Sequence, residues 1–488
     1  MPLRLWTLDV AREQSFTNEH LDRWVSLTGQ CGYDGIGLYL EHRFAYPSAP
    51  WAHGEGCITP EQVSRLEQKF PQVQIVPFIN VLGHMEGFLY TEPGKRFAEE
   101  RFKGLSACPS NPEFRVFVEG LVDDTIASFK SHIIHLGGDE TAQLGKCPAC
   151  ALRHKAELYG EHVGALARRV LAAGRRPAIW ADMLLEHPAA MDMIPKETLL
   201  FVWEYFDDPQ PAAEKLRNAG FEVVLCPTLH TYNSAWLNLR QSERNIRSMI
   251  HEPNFCLTTW EYGMMGNVET LRPAIVAAGV GNPDLMDAYE QGHAKHWARL
   301  MGVELVDSGP TFAEGRHRSS LRSRLLLYGN PFLASHMHAE SLSGPAGELA
   351  LRIAKEAEFY TPDNNFMCVT MLVSKAIEFV RLADQARQSY AQGLPGIAVA
   401  SLAPCRVIFD DLERFAVANR LNAGGSRADE FRCRQAKAHV ERVIRRVRDF
   451  GAGQLGYMPS WETITDPRFT PHDQGNWWRI NSWGEELA

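Results

Sequence analysis

The chain is short of the features that mark several large classes of protein. Ten cysteines in 488 residues are too sparse for a disulfide framework. No apolar run is long enough to cross a bilayer. The longest uncharged stretch, Gln388 to Cys405, carries two prolines, two glycines and two serines. The opening residues, Met1 to Asp9, do not read as a signal peptide, because Asp9 interrupts the apolar run too early. Fifty Lys and Arg against 59 Asp and Glu leave a net charge of −9, so the basic surface of a nucleic-acid reader is lacking. A glycine-rich phosphate loop is also missing after the first apolar run, where Asp9-Val10-Ala11-Arg12 stands instead. These absences predict a reduced, cytoplasmic protein with no membrane and no nucleic-acid partner.

What is present is regular. The composition, 45% hydrophobic and 22% charged, is that of an ordinary globular protein. Apolar runs at Leu3–Val10, Gly35–Leu40, Gln74–Asn80, His132–Leu136, Pro177–Trp180, Leu199–Trp203, Glu222–Cys226 and Phe255–Thr259 alternate with amphipathic or capped segments. Thr59-Pro60-Glu61-Gln62 reads as a capping box with proline at the first helical position, and Ser110-Asn111-Pro112-Glu113 reads as another. Eight units of about 35 residues each have the size of βα units. They predict a (β/α)₈ barrel over residues 1–280, with a doubly wound open sheet as the alternative. From 281 to 488 the spacing turns helical, at Glu348–Phe359, Met371–Ala391, Phe409–Ala423 and Ala428–Phe450. The end of the chain, with Trp461, Trp477, Trp478 and Trp483, predicts an aromatic tail docked on the protein.

In such a barrel the chemistry lies at the C-terminal ends of the strands. Here those ends are polar and aromatic: Asp9 and Arg12, Glu41-His42-Arg43, Gly83-His84, Gly138-Asp139-Glu140, Trp180-Ala181-Asp182, Trp203-Glu204-Tyr205, His230-Thr231-Tyr232 and Trp260-Glu261. One strand-end Trp is ordinarily packing, and one strand-end Asp ordinarily caps a helix. Aromatic residues at four successive ends, with carboxylates beside them, point to a carbohydrate pocket. The most informative segment is Ile133 to Thr141, in which two adjacent carboxylates, Asp139 and Glu140, follow two glycines. Adjacent carboxylates do not face one another across a sugar ring, as a two-carboxylate glycosidase requires. They suit neighbouring parts of one substrate.

The segment His135-Leu136-Gly137-Gly138-Asp139-Glu140 at a fourth strand resembles glycoside hydrolase family 20, the β-N-acetylhexosaminidases. Leu8-Asp9-Val10-Ala11-Arg12 and Leu82-Gly83-His84-Met85-Glu86 are similar to two further motifs of that family and occur in the same order. With a barrel opening at Leu3 and a helical extension behind it, the resemblance is to the family's compact branch. It implies exo-acting removal of terminal β-linked GlcNAc or GalNAc by a retaining, substrate-assisted mechanism through an oxazoline. Glu140 is then the general acid and base, and Asp139 the residue that orients the acetamido N–H. The resemblance places Arg12, His84, His135, Trp180, Trp203, Tyr232, Trp260 and Glu261 around the sugar. No cofactor and no catalytic metal are implied. The chain departs from the family pattern at Ser234, at the adjacent Trp260-Glu261 and at Glu41-His42, all positions of hydroxyl recognition.

Two other functions fit the same residues. One is a two-carboxylate retaining glycosidase with Glu140 as acid and Glu261 or Glu204 as nucleophile; the other is a non-catalytic carbohydrate-binding barrel. A homo-oligomer is compatible with any of these. Cys147-Pro148-Ala149-Cys150 reads either as reduced loop cysteines or, with Cys108, as part of a structural zinc site.

Overall fold

A computed structural model describes residues 2–285 apart from 12–15, 54–55, 101–104, 230–238 and 261–267. Beyond them it describes 325–326, 330–340, 364–423 and 427–467, with single residues between 342 and 355. The chain divides into two compact units. The first comprises Met1–Leu229, Leu239–Trp260 and Arg272–Asp287, and the second is drawn chiefly from residues after Asp287.

In the first unit, strands β1 (Leu3–Asp9), β2 (Gly35–Tyr39), β3 (Gln74–Phe78), β4 (Ile133–His135), β5 (Arg176–Trp180), β6 (Leu199–Trp203), β7 (Glu222–Cys226) and β8 (Asn254–Thr259) pair in chain order, all parallel. A two-residue strand, Thr228–Leu229, continues beyond β7 and adds onto β8. β8 pairs back onto β1, from Leu3 against Asn254 to Trp6 against Leu257, which closes the barrel. An open doubly wound sheet would leave both strands as edges. Each of β1 to β8 falls within two residues of the span read from its apolar run.

Helices follow the strands: α1 (Asn18–Gln30), α2 (Pro60–Lys69), α3 (Pro112–Ser128), α4 (Lys155–Ala172), the short α5 (Asp182–Glu186), α6 (Gln210–Asn218), α7 (Leu239–Met249) and α8 (Val268–Gly279). Thr59 and Gln62 form the expected reciprocal cap of α2. The cap of α3 differs. Asn111, not Ser110, accepts from the N–H groups of Glu113 and Phe114 at 2.9 and 3.3 Å. Asn is as good a cap as Ser, and Pro112 at the first helical position sets the register. The barrel interior is filled by Leu5, Tyr39, Val76, Phe78, Ile133, Ala178, Trp180, Leu199, Phe201, Val224, Cys226 and Cys256, contributed at two-residue spacing.

The second unit is helical: α9 (Phe332–His338), α10 (Asn364–Ala391), α11 (Pro395–Leu402), α12 (Cys405–Ala423), α13 (Arg427–Gly451) and α14 (Trp461–Thr465). α10 buries Ala376, Phe379, Val380, Ala383, Ala386 and Tyr390, a three-to-four-residue stripe, against Ile408, Phe409 and Leu412 of α12 and Val440, Val443 and Val447 of α13. α11 lies within the longest uncharged stretch, despite the prolines there. Pro395 stands at its first turn, where no intrahelical N–H is needed, and Pro404 lies beyond its end. The span 348–359 lies mostly outside the described residues, as do Trp477, Trp478 and Trp483, whereas Trp461 is buried in α14. Among the described residues, no helix is long and apolar enough to cross a membrane.

Candidate active site at the ends of the strands

The loops after β3 and β4 meet backbone to backbone. A Cβ on Gly83 would stand 1.8 Å from the Asp139 carbonyl oxygen, and one on Gly137 would stand 2.0 Å from Asn80 Oδ1. Only glycine allows that approach. Asn80 braces the contact, with its Nδ2 donating to the Tyr39 hydroxyl at 2.9 Å. Among the described residues, Glu41, His84 and Glu140 are the non-glycine residues with positive φ, at 43°, 47° and 47°. They follow β2, β3 and β4. Each such conformation costs about 1–3 kcal/mol and persists where the surroundings over-determine it.

His84 joins these loops. Its Nε2 lies 3.1 Å from Glu140 Oε2 and 3.5 Å from Asp139 Oδ2, while its Nδ1 lies 3.6 Å from Glu86 Oε1. Burial opposes a charge on this imidazole. Asp139, then Glu140, Glu86 and Glu41, outweigh burial and hold its pKa well above the usual histidine value. The surrounding carboxylates thus favour the protonated imidazole.

The two adjacent carboxylates sit in unlike surroundings. The Asp139 side chain is 11% exposed, against 52% for Glu140. Asp182, the first residue of α5, accepts the Glu140 N–H through Oδ2 at 2.9 Å. Burial, with the charge of Asp139 second, raises the Asp182 carboxyl to about 8, which favours its protonated form. The Tyr159 hydroxyl is buried beneath Gly138, where a Cβ would meet it at 3.1 Å, and has no hydrogen-bond partner among the described residues.

An aromatic cluster follows. Trp203 and Tyr205 lie 5.3 Å apart at 33°, and Trp260 Nε1 donates to the Tyr205 hydroxyl at 2.7 Å. Trp260 also packs edge-on to Tyr39 and Trp180, with centroids at 4.9 and 5.8 Å. Trp203 and Trp260 are partly exposed, whereas Trp180 and His135 are fully enclosed in the barrel core. His135 stacks on Phe78 at 4.2 Å, accepts the Gly137 N–H through Nδ1, and is kept neutral by burial. It thus supports the turn that carries Asp139. Arg12, Tyr232 and Glu261 lie outside the described residues.

Asp182, Tyr159, Glu86 and Tyr205 stand beside these groups without having been assigned a role from the sequence, although Glu86 lies in the segment Leu82-Gly83-His84-Met85-Glu86. Asp182 and Tyr205 stand in the strand-end segments Trp180-Ala181-Asp182 and Trp203-Glu204-Tyr205, so position alone marks them. Tyr159 lies on α4 and carries no such mark. Glu204 is ill placed to act as a nucleophile, because its Oε1 accepts the N–H groups of Tyr205, Phe206 and Asp207 at 2.9–3.0 Å. Two groups of described residues bring ligand atoms within 4.8 Å of one another: Glu41, His84 and Glu86, and Glu99, Cys108, Cys147 and Cys150.

The catalytic domain of glycosyl hydrolase family 20 matches residues 56–272, and over that span the chain resembles this family. The chain is 24% identical over 226 residues to the beta-hexosaminidase of Vibrio furnissii, a match covering 42% of this chain and 35% of that protein. It thus spans about a third of the length of that curated relative. Similar solved structures include a beta-N-acetylhexosaminidase from Bacteroides fragilis, at 16% identity and TM-score 0.47 over 61% of this chain and 71% of that one. Another is the GH20 exo beta-N-acetylglucosaminidase from Vibrio harveyi, at 17% identity and TM-score 0.48 over 60% of this chain and 57% of that one. The barrel itself rests on its own strand pairing.

Proposed function

We propose that this chain is an exo-acting β-N-acetylhexosaminidase that removes terminal β-linked GlcNAc or GalNAc with retention of configuration. The observation that carries the reading is the pairing of an enclosed Asp139 with an open Glu140 on one turn, inside the region matched by the family 20 catalytic domain. Glu140 gives its proton to the glycosidic oxygen as the bond from C1 to that oxygen breaks. The substrate's acetamido carbonyl oxygen bonds to C1, forming an oxazolinium ring. Asp139 accepts the acetamido N–H and stabilises the positive charge that grows on the nitrogen. Water, losing a proton to Glu140, then attacks C1 and opens the ring. Two inversions at C1 amount to retention.

His84 holds both carboxylates in register, and Trp203, Trp260 and Tyr205 supply an apolar face for the sugar. By the family resemblance, Arg12, Tyr232 and Glu261 complete the hydroxyl and acetamido contacts. The nine described cysteines are all unbridged, which supports a reducing, cytoplasmic setting. The three backbone N–H groups on Glu204 count against the two-carboxylate scheme at that residue.

A panel of p-nitrophenyl β-glycosides with and without the 2-acetamido group tests the proposal. Release only from the acetamido sugars, with inhibition by a thiazoline mimic of the cyclised intermediate, is the expected result. Equal release from plain glucosides, with a 2-fluoro sugar trapped covalently on a carboxylate, overturns it.

A further inference from the structure

The loops after β3 and β4 meet a second time, at Glu99, Cys108, Cys147 and Cys150. Cys108 Sγ lies 3.3 Å from Cys147 Sγ and 3.5 Å from Cys150 Sγ. These separations are too long for a disulfide, whose sulfurs sit about 2.05 Å apart. Three sulfurs around one ion at about 2.3 Å stand roughly 3.8 Å from one another, close to what is seen. Glu99 completes the group, with a carboxylate oxygen among the sulfurs so that all four ligand atoms lie within 4.8 Å. Glu99, Cys108 and Cys150 are buried and Cys147 is half-buried. Supporting contacts hold the ligands: Glu99 accepts the N–H of Cys147 at 2.7 Å and of Gly145 at 3.3 Å, and the Ser110 hydroxyl lies 3.2 Å from Cys150 Sγ.

We propose that Glu99, Cys108, Cys147 and Cys150 form a structural zinc site that staples the loop after β3 to the loop after β4. Four ligands from two loops close a tetrahedral shell and leave no position for water or substrate, which is the mark of a structural rather than a catalytic ion. Three thiolates and one carboxylate form a soft set that selects zinc over magnesium or calcium. Binding releases the three thiol protons to solvent, with no change of oxidation state.

The staple bears on the catalytic turn through short connections. Ser106 and Leu105, just before Cys108, contact Gln143 Oε1 at 3.3 and 3.0 Å, and the Leu105 carbonyl accepts the Met85 N–H at 3.0 Å. Gln143 lies between Glu140 and Cys147, and Met85 follows His84. The site therefore ties down both segments that converge on His84, Asp139 and Glu140. It does not depend on which sugar the protein takes.

The test is metal analysis of the full chain, purified without chelator or metal-affinity resin, by plasma mass spectrometry. About one zinc per chain is expected for a closed four-ligand site. Exchange into Co²⁺ should give the near-ultraviolet thiolate-to-cobalt band and the intense visible bands of tetrahedral cobalt. Cys147→Ser and Glu99→Ala should each lose at least about tenfold in zinc affinity against a competing chelator, by the size usual for disrupting a metal site. If the variants do not fold, the wild-type zinc stoichiometry and cobalt spectrum decide alone. A folded chain that takes up no zinc or cobalt while all three thiols react with Ellman's reagent overturns the proposal. So does a Cys108–Cys147 or Cys108–Cys150 disulfide found by peptide mass spectrometry in protein purified anaerobically.

Discussion

The same two loops, after β3 and β4, build two clusters of opposite character. One gathers His84, Glu86, Asp139 and Glu140, hard and charged groups with Glu140 half open to solvent. The other gathers three soft thiols, Cys108, Cys147 and Cys150, with the carboxylate of Glu99, and is largely enclosed. Chemistry on a substrate needs an accessible proton and a field that changes as charge develops. A staple needs the reverse: a closed shell that water cannot enter. Strain follows the same division. The positive-φ non-glycine residues stand at the charged cluster, whereas the turn at the thiol cluster uses Gly145 at φ +88.

The largest effect expected on the charged side is from Glu140→Gln. Its kcat on a natural disaccharide should fall about 10²–10⁴-fold with the fold and metal content unchanged, since a positioned acid contributes that much. Activated aryl glycosides need less protonation and should lose less in the first chemical step, which a pre-steady-state burst would reveal. Next is Asp139→Asn, which keeps the shape but removes the charge. A kcat loss of roughly 10²–10³-fold with little rise in KM is expected, because the contact strengthens in the transition state. Thiazoline affinity should fall in parallel, measured by competitive inhibition.

On the thiol side the effects should separate from chemistry. Cys108→Ser should lower the melting temperature by roughly 5 °C or more, at about 2–4 °C per kcal/mol for a domain of this size. Its kcat at low temperature should stay within about threefold of wild type. A Cys108→Ser enzyme that is stable yet as slow as Glu140→Gln would erase the distinction between the two clusters.

A further effect, read as a pH dependence, concerns Asp182. Its carboxyl is held at about 8 in the folded protein against 3.8 for the free group. Between those values the native state keeps a proton that the unfolded chain releases, so this group's contribution to stability falls as pH rises from about 4 to about 8. Asp182→Asn retains an acceptor for the Glu140 N–H but does not titrate. Urea midpoints at pH 5 and pH 8 should therefore show the variant gaining on wild type, by no more than about 1.4 kcal/mol per pH unit. An unchanged difference at both pH values would mean that Asp182 is ionised in the fold.

Much of this architecture is legible in local pattern. Leu199–Trp203 and Glu222–Cys226 are strands over the spans read from their apolar runs, because a strand buried on both faces needs an unbroken apolar segment. The box at Thr59 is equally plain, as its parts lie three residues apart. The box at Thr17 is hidden, since His20 takes the place usually held by Glu or Gln. Two glycines at a strand end mark Asp139 and Glu140. Trp180 and His135 are harder to place: a strand-end aromatic looks the same in sequence whether it lines a pocket or fills the layer beneath it.

What the sequence by itself determined is therefore periodic or contiguous: eight parallel strands, the helical second unit, and an acid pair on one turn. Such features arise from steric and solvation rules acting over a few residues, which composition and spacing carry directly. Tertiary structure alone decided which distant groups share a field. It set His84 between Asp139 and Glu140, put Asp182 under the Glu140 N–H, engaged Glu204 with its own loop, and brought Glu99 and Cys108 to the Cys147–Cys150 pair. Coulomb and coordination energies depend on separations of a few ångströms between residues tens of positions apart, and barrel closure is what sets those separations.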